Sequence, residues 1–291
     1  MSNNRQRTLE ITVLMENLSS DEKLKVEHGL SFHIRAGGQR ILFDTGQSGA
    51  FLDNADHLGI QFPEDTAVVL SHGHYDHTGG LARLLATGNH YRIYAHPDAI
   101  IERYSIKDPA NPRMIGIPEG SLKGLQDPGF TETEGWTTIA DGIHITGAVP
   151  RITTYEDTGG PFFLDPQRTT PDPITDDQAL CFEGAEGLIV LLGCAHAGVI
   201  NTVRYCCEKT GNDKVHAIIG GFHLLNASTE RMERTIEALR EINADFLAPC
   251  HCTGDAQTQF LREAFPENSH PCHCGSRFQF RLKGANQAMP Q

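Results

Sequence analysis

The chain has 291 residues, 39% hydrophobic and 21% charged, enough for a sizeable soluble core in one large or two small domains. A formal net charge of −13 argues against a nucleic-acid partner held through phosphate contacts. No stretch approaches the roughly 18 apolar residues of a membrane span, and the opening Met-Ser-Asn-Asn-Arg-Gln-Arg-Thr lacks the apolar core of a signal peptide. The expectation is a cytoplasmic protein with reduced thiols that acts on a small molecule and not at a membrane.

Residues 11–14, 31–34 and 40–44 read as short strands, with a hairpin turn over 36–39. A helix is expected over 51–58, a buried strand over 68–70, a helix over 81–87 and a strand over 91–95. Residues 97–175 are less regular and rich in Pro, Gly and Asp. They hold a short helix (98–104), weak strands (137–139 and 143–146) and a long loop at 157–177. A structureless loop of that length is more often functional than accidental, and here it would lie over a cleft as a lid.

Order returns with strands at 179–183 and 187–192, a helix over 201–210 and a strand at 217–219. An amphipathic helix over 228–242, capped by Ser228 or Thr229, precedes closing strands at 246–247 and 278–282. Two β-rich halves flanked by helices predict an α/β four-layer αββα sandwich. It would form a single domain over 1–291, with a lid-like insertion at about 97–177. No Gly-x-Gly-x-x-Gly follows the first strand, so a dinucleotide-binding fold is not expected.

Residues 71–80 read Ser-His-Gly-His-Tyr-Asp-His-Thr-Gly-Gly, placing His72, His74, Asp76 and His77 within six positions directly after a buried strand. A lone histidine is more often a hydrogen-bonded core or surface residue, but this cluster empties from a strand into a glycine-flanked loop. In an extended turn His72 and His74 point the same way and can share one ion, while Asp76 and His77 can reach a second. Imidazole and carboxylate together suit Zn²⁺, with Fe²⁺ or Mn²⁺ as substitutes.

This run resembles the signature of the metallo-β-lactamase superfamily, and three later motifs extend the resemblance over about residues 8 to 282. Phe43-Asp44-Thr45-Gly46 is similar to the family's first motif, which implies that Asp44 accepts the remaining N–H of a ligand imidazole. Gly193-Cys194-Ala195-His196-Ala197-Gly198 implies that His196 joins His72 and His74 on a first metal. Ala248-Pro249-Cys250-His251-Cys252-Thr253-Gly254 implies that His251 joins Asp76 and His77 on a second. Two zinc ions are the expected cofactors.

One place departs from the pattern. Where the family carries a metal-bridging aspartate in a Gly-Asp context, this chain reads Ile218-Ile219-Gly220-Gly221-Phe222-His223. Either His223 substitutes as ligand or proton donor, or solvent alone holds the two metals together. Longer phrases, among them Glu27-His28-Gly29-Leu30-Ser31 and Gly220-Gly221-Phe222-His223-Leu224, resemble the branch that includes ribofuranosylaminobenzene 5′-phosphate synthase-like proteins, most of them described as metal-dependent hydrolases.

The resemblance implies a metal-dependent hydrolase using metal-activated water on an ester, lactone or phosphoester. Asp76 would orient that water and His223 would donate a proton. Arg151 is a candidate phosphate contact. The alternatives are a non-hydrolytic transferase or synthase on a phosphorylated pterin-related substrate, and a non-catalytic metal-binding module. Oligomeric state is not legible.

Eight cysteines need an account. Cys181, Cys206 and Cys207 read as packing residues, and Cys194 as either packing or support for a metal ligand. Cys250/Cys252 and Cys272/Cys274 form two Cys-x-Cys pairs, a spacing narrower than the usual zinc knuckle, so ordinary packing is expected there.

Overall fold

The computed structural model describes residues 7–127 and 129–284. The stretch 1–6, inspected above for a leader, lies outside them. The chain opens with an antiparallel meander, β1 (Thr8–Met15), β2 (Ser31–Ala36) and β3 (Gln39–Phe43). Helix α1 (Ala50–His57) leads to β4 (Ala67–Val69), then come α2 (Tyr75–Thr78), α3 (Leu81–Leu85) and β5 (Arg92–Ala95). A 3₁₀ turn at Pro97–Ile100, β6 (Tyr104–Ser105), β7 (Arg113–Met114), α4 (Glu119–Gln126), β8 (Thr131–Glu132), β9 (Thr137–Ala140), β10 (Ile143–Ile145) and β11 (Phe162–Phe163) make up the irregular middle. The last part runs β12 (Ala179–Glu183), β13 (Leu188–Leu192), α5 (Val199–Thr210), β14 (Val215–Gly221), α6 (Thr229–Ile242), β15 (Phe246–Cys250), α7 (Asp255–Ala264) and β16 (Arg277–Arg281).

Two large sheets result, ordered β16-β1-β2-β3-β4-β5-β8 and β15-β14-β13-β12-β10-β9. Strand alternation explains why they stack. In β13, Ile189 and Leu191 face the other sheet, while Leu188, Val190 and Leu192 face helices. In the first sheet, Ile41, Phe43 and Val69 point inward, whereas Leu42, Val68 and Leu70 pack with Phe51 of α1 and Leu81 and Leu84 of α3. The second sheet's outer face is covered by α5 and α6, whose Val199, Val203, Ala238 and Leu239 are buried there. Helix α6 starts where its cap residue dictates: Ser228 Oγ accepts from Arg231 N at 3.1 Å. The four-layer αββα sandwich is therefore the fold.

The lid expectation needs correction. Residues 97–177 are not one insertion, because β8 pairs with β5 and β9–β10 join the second sheet. Helix α4 buries Leu125 in the core beside α3. What stands apart is the small sheet β11-β6-β7, formed from 104–114 and the 157–177 loop. The helix expected at 98–104 is a single 3₁₀ turn, since Arg103 leaves it to pair in the interior with Asp176 at 2.7 Å. Helices α4 and α7 escaped the pattern: Gly120 and Gly124 interrupt the first, and the second buries one apolar side chain, Leu261.

Both sheets end in a parallel set, β3-β4-β5-β8 in one and β13-β14-β15 in the other. Parallel strands deliver their carboxyl ends to one edge, where open α/β sheets place their sites. Asp44 follows β3 and His72 follows β4. From the second sheet, His196, His223 and His251 follow β13, β14 and β15.

Candidate metal centre

His72, His74 and His196 converge, each offering a nitrogen within 4.8 Å of the other two. His72 Nε2 lies 3.0 Å from His74 Nδ1. Beside them, His77 Nε2 is 3.2 Å from His251 Nε2, and Asp76 Oδ2 lies 3.4 Å from His251 Nε2 and 3.9 Å from His77 Nε2. The structure thus brings together all six side chains expected to bind metal.

The far side of each ring decides which nitrogen is free. Asp44 Oδ2 accepts from His77 Nδ1 and from Ser71 Oγ, both at 2.7 Å, and its Oδ1 accepts from Ser71 N at 2.7 Å. With its own proton given to Asp44, Ser71 Oγ accepts from His72 Nδ1 at 2.8 Å. Thr158 O accepts from His196 Nδ1 at 2.8 Å, and Asn17 Oδ1 from His251 Nδ1 at 3.1 Å. Four Nδ1 atoms are committed, so the four Nε2 atoms are the ring positions left to face one another across a small space. His196 Nε2 is buried with no partner, as is His74 Nε2. Orphaned buried nitrogens in such a donor set fit a metal ion.

Electrostatics agree. Burial holds the imidazoles of His72, His74 and His196 well below the usual range, keeping them neutral as ligands require. At His77 burial works the same way, but Asp44 and then Asp76 outweigh it and pull the imidazole up to about 9. Burial also opposes ionisation of Asp76, yet His77, His251 and His28 hold its carboxyl well below the usual carboxylate range. The second cluster therefore favours positive charge, and the first a neutral set of lone pairs.

The clusters floor a cleft of about 540 Å³. His223 lines it with its ring centroid 4.1 Å from that of His196, in a left-handed backbone conformation (φ 47°), and its buried Nδ1 has no partner. The lid closes over this ring. A Cβ on Gly159 would fall 1.8 Å from His223 Cδ2, so only glycine fits there. Phe162 of β11 packs on His74, His196 and His223. Asp176 ties the lid to the metal loop by accepting from Gly73 N at 2.7 Å while pairing with Arg103.

Arg151 is a correction. Its Nη2 donates to Pro173 O at 2.8 Å on the exposed side of the lid, and it does not line the cleft. Lys107 and Arg113, on and near the small sheet, supply the positive charge at the mouth instead. His96 is buried and caps its own turn, accepting from Asp98 N at 3.1 Å.

Sequence reasoning missed His28, whose Nε2 lies 3.2 Å from Asp76 Oδ2 and whose ring sits 4.9 Å from that of His251. Its only signal was the phrase Glu27-His28-Gly29. Two cysteines also belong here: Cys194 and Cys252 line the cleft, so packing does not describe Cys252. Cys250 and Cys272 do pack in the inter-sheet core.

Fold and site together define a class. The chain belongs to the metallo-β-lactamase superfamily, whose family model matches residues 24–251; proteins of this fold bind metal ions. Among relatives, it is 30% identical to the 7,8-dihydropterin-6-methyl-4-(β-D-ribofuranosyl)-aminobenzene-5′-phosphate synthase of Methanocaldococcus jannaschii, over 87% of this chain and 90% of that protein. It is similar to the crystal structure of Tm1679, described as a metal-dependent hydrolase of the β-lactamase superfamily, with a TM-score of 0.80 and 30% identity over 94% of this chain and 99% of that one. Zn²⁺-bound PqqB from Methylobacterium extorquens shares the fold at a TM-score of 0.53 and 14% identity, over 92% and 99% of the two chains. Among the described residues no helix is long and apolar enough to cross a membrane.

Proposed function

We propose that this protein is a metal-dependent hydrolase acting on an ester, lactone or phosphoester of a small molecule. One observation carries the reading: the Nδ1 atoms of His72, His77, His196 and His251 are all committed to hydrogen bonds, leaving their Nε2 atoms as the ring positions turned toward one another. His72, His74 and His196 would hold one ion and Asp76, His77 and His251 a second. Nitrogen and carboxylate donors suit zinc, with iron or manganese as substitutes. When bound, the pair supplies Lewis acidity and an acidified water.

The chain's own residues do the rest. Asp76 keeps negative charge at the cleft floor, where it orients a water. His223 is the proton donor: its ring lines the cleft beside that of His196, and its Nδ1 has no partner among the described residues. Lys107 and Arg113 meet an anionic portion of the substrate, and Phe162 with its loop excludes bulk water.

The test is metal analysis of the purified protein with turnover on a panel of esters, lactones and phosphoesters. Two bound metals, and activity lost on chelation and restored by zinc, are expected. A metal-free protein with chelator-insensitive activity sinks the reading. The identity to a synthase favours one rival, a non-hydrolytic transfer on a phosphorylated substrate. Hydrolysis must place oxygen from labelled water in the product, and transfer does not.

A further inference from the structure

Two sulfur atoms stand where the metal cluster is otherwise all nitrogen and oxygen. Cys194 Sγ lies 3.1 Å from His77 Nε2, the nitrogen left free by the Asp44 bond. It also belongs to a group with His72 and His77 whose ligand atoms all lie within 4.8 Å of one another. His72 is a ligand of one proposed ion and His77 of the other, so this sulfur stands between them. Cys252 Sγ forms a second such group with Cys194 and His223, and lies 3.5 Å from Cys194 O.

Gly221 makes room for this pair. A Cβ there would lie 2.5 Å from Cys252 Sγ and 3.2 Å from Cys194 Cα. Any side chain at 221 would push the Cys252 sulfur aside, and without one the strand end contributes no carboxylate. Buried thiols usually serve as small apolar groups. These two instead line a cleft floored by histidines and Asp76.

We propose that Cys194 is a metal ligand, its thiolate bridging the two metal positions, and that Cys252 is a positioning residue that fixes the Cys194 sulfur in that place. The inference rests on the two-metal reading above. On metal binding the Cys194 thiol gives its proton to solvent and the S–metal bonds form, as for any thiolate ligand. No oxidant or reductant is needed. His223, next to both sulfurs, remains free to act on substrate.

The test uses full-length protein loaded with cobalt(II), and separately with zinc. The cobalt protein should show a near-ultraviolet thiolate-to-cobalt charge-transfer band beside its visible d–d bands. Cys194→Ser should abolish that band and weaken retention of the second ion under chelation, while Cys252→Ser should shift the band without removing it. X-ray absorption of the zinc-loaded wild type should show a sulfur shell at about 2.3 Å, a measurement that needs no variant to fold. Visible cobalt bands with no charge-transfer band, or a zinc spectrum lacking sulfur, overturn the cysteine ligand and leave the metal centre standing. A band that survives Cys194→Ser and vanishes in Cys252→Ser overturns the assignment to Cys194. Protein that binds no metal overturns both this inference and the reading beneath it.

Discussion

The two halves of the sandwich build the same site in opposite ways. The first sheet places His72, His74, Asp76 and His77 in one loop after β4, so a single stretch of backbone serves both proposed ions. The second sheet spends three strand ends on three histidines, 27 and then 28 residues apart at 196, 223 and 251. What brings those together is parallel pairing of β13, β14 and β15, which aligns their carboxyl ends. A local cluster depends on short-range geometry, and a dispersed one depends on the sheet.

The difference predicts unequal damage. His72→Ala combined with His77→Ala removes a ligand from each ion through one loop, and metal content and activity should both fall to background. His251→Ala alone should lose the second ion and keep the first, as metal analysis after dialysis would show. Equal losses from the two changes would break the comparison.

His223→Gln tests the strand end to which neither proposed ion is assigned. It should lower kcat by about 10²–10⁴-fold with metal content unchanged, as expected for loss of a proton donor. Substrates with good leaving groups should regain most of the rate, and a parallel loss of metal would make His223 a ligand instead. Asp44→Asn touches the first half only. Replacing the acceptor of the His77 and Ser71 protons should cost about 10–100-fold in metal affinity or activity, read by competition with a chromophoric chelator.

The smallest effect separates the frame from the site. His33 on β2 packs edge-on against Phe62, and burial, then Arg35 and Arg40, push its imidazole down to about 4 from 6.5. Between those values the unfolded chain takes up a proton that the folded chain refuses, so this contribution to stability is complete above pH 6.5 and is lost as pH falls toward 4. Urea unfolding should show a shallower loss of stability from pH 7 to pH 5 in His33→Phe than in the wild type.

The sequence by itself determined the four-layer sandwich and four candidate metal-binding residues, because alternating apolar strands and a dense His/Asp loop are local patterns. Their later partners, His196 and His251, were legible only through motifs that resemble a family's. Tertiary structure decided what local pattern does not carry. Arg151 reads like any cleft arginine, but the lid turns it toward Pro173, while Lys107 and Arg113 reach the mouth through a small sheet too short to announce itself. His28 gained its place from Asp76, 48 positions away. Cys252 reads as a packing residue and Cys194 as packing or ligand support, but Gly221, on a neighbouring strand, leaves Cys252 Sγ its space, and Cys194 Sγ comes to lie beside His77. Side-chain type is written in the sequence, but which side chains share a few ångströms is set by strand order and by the volume that neighbours leave empty.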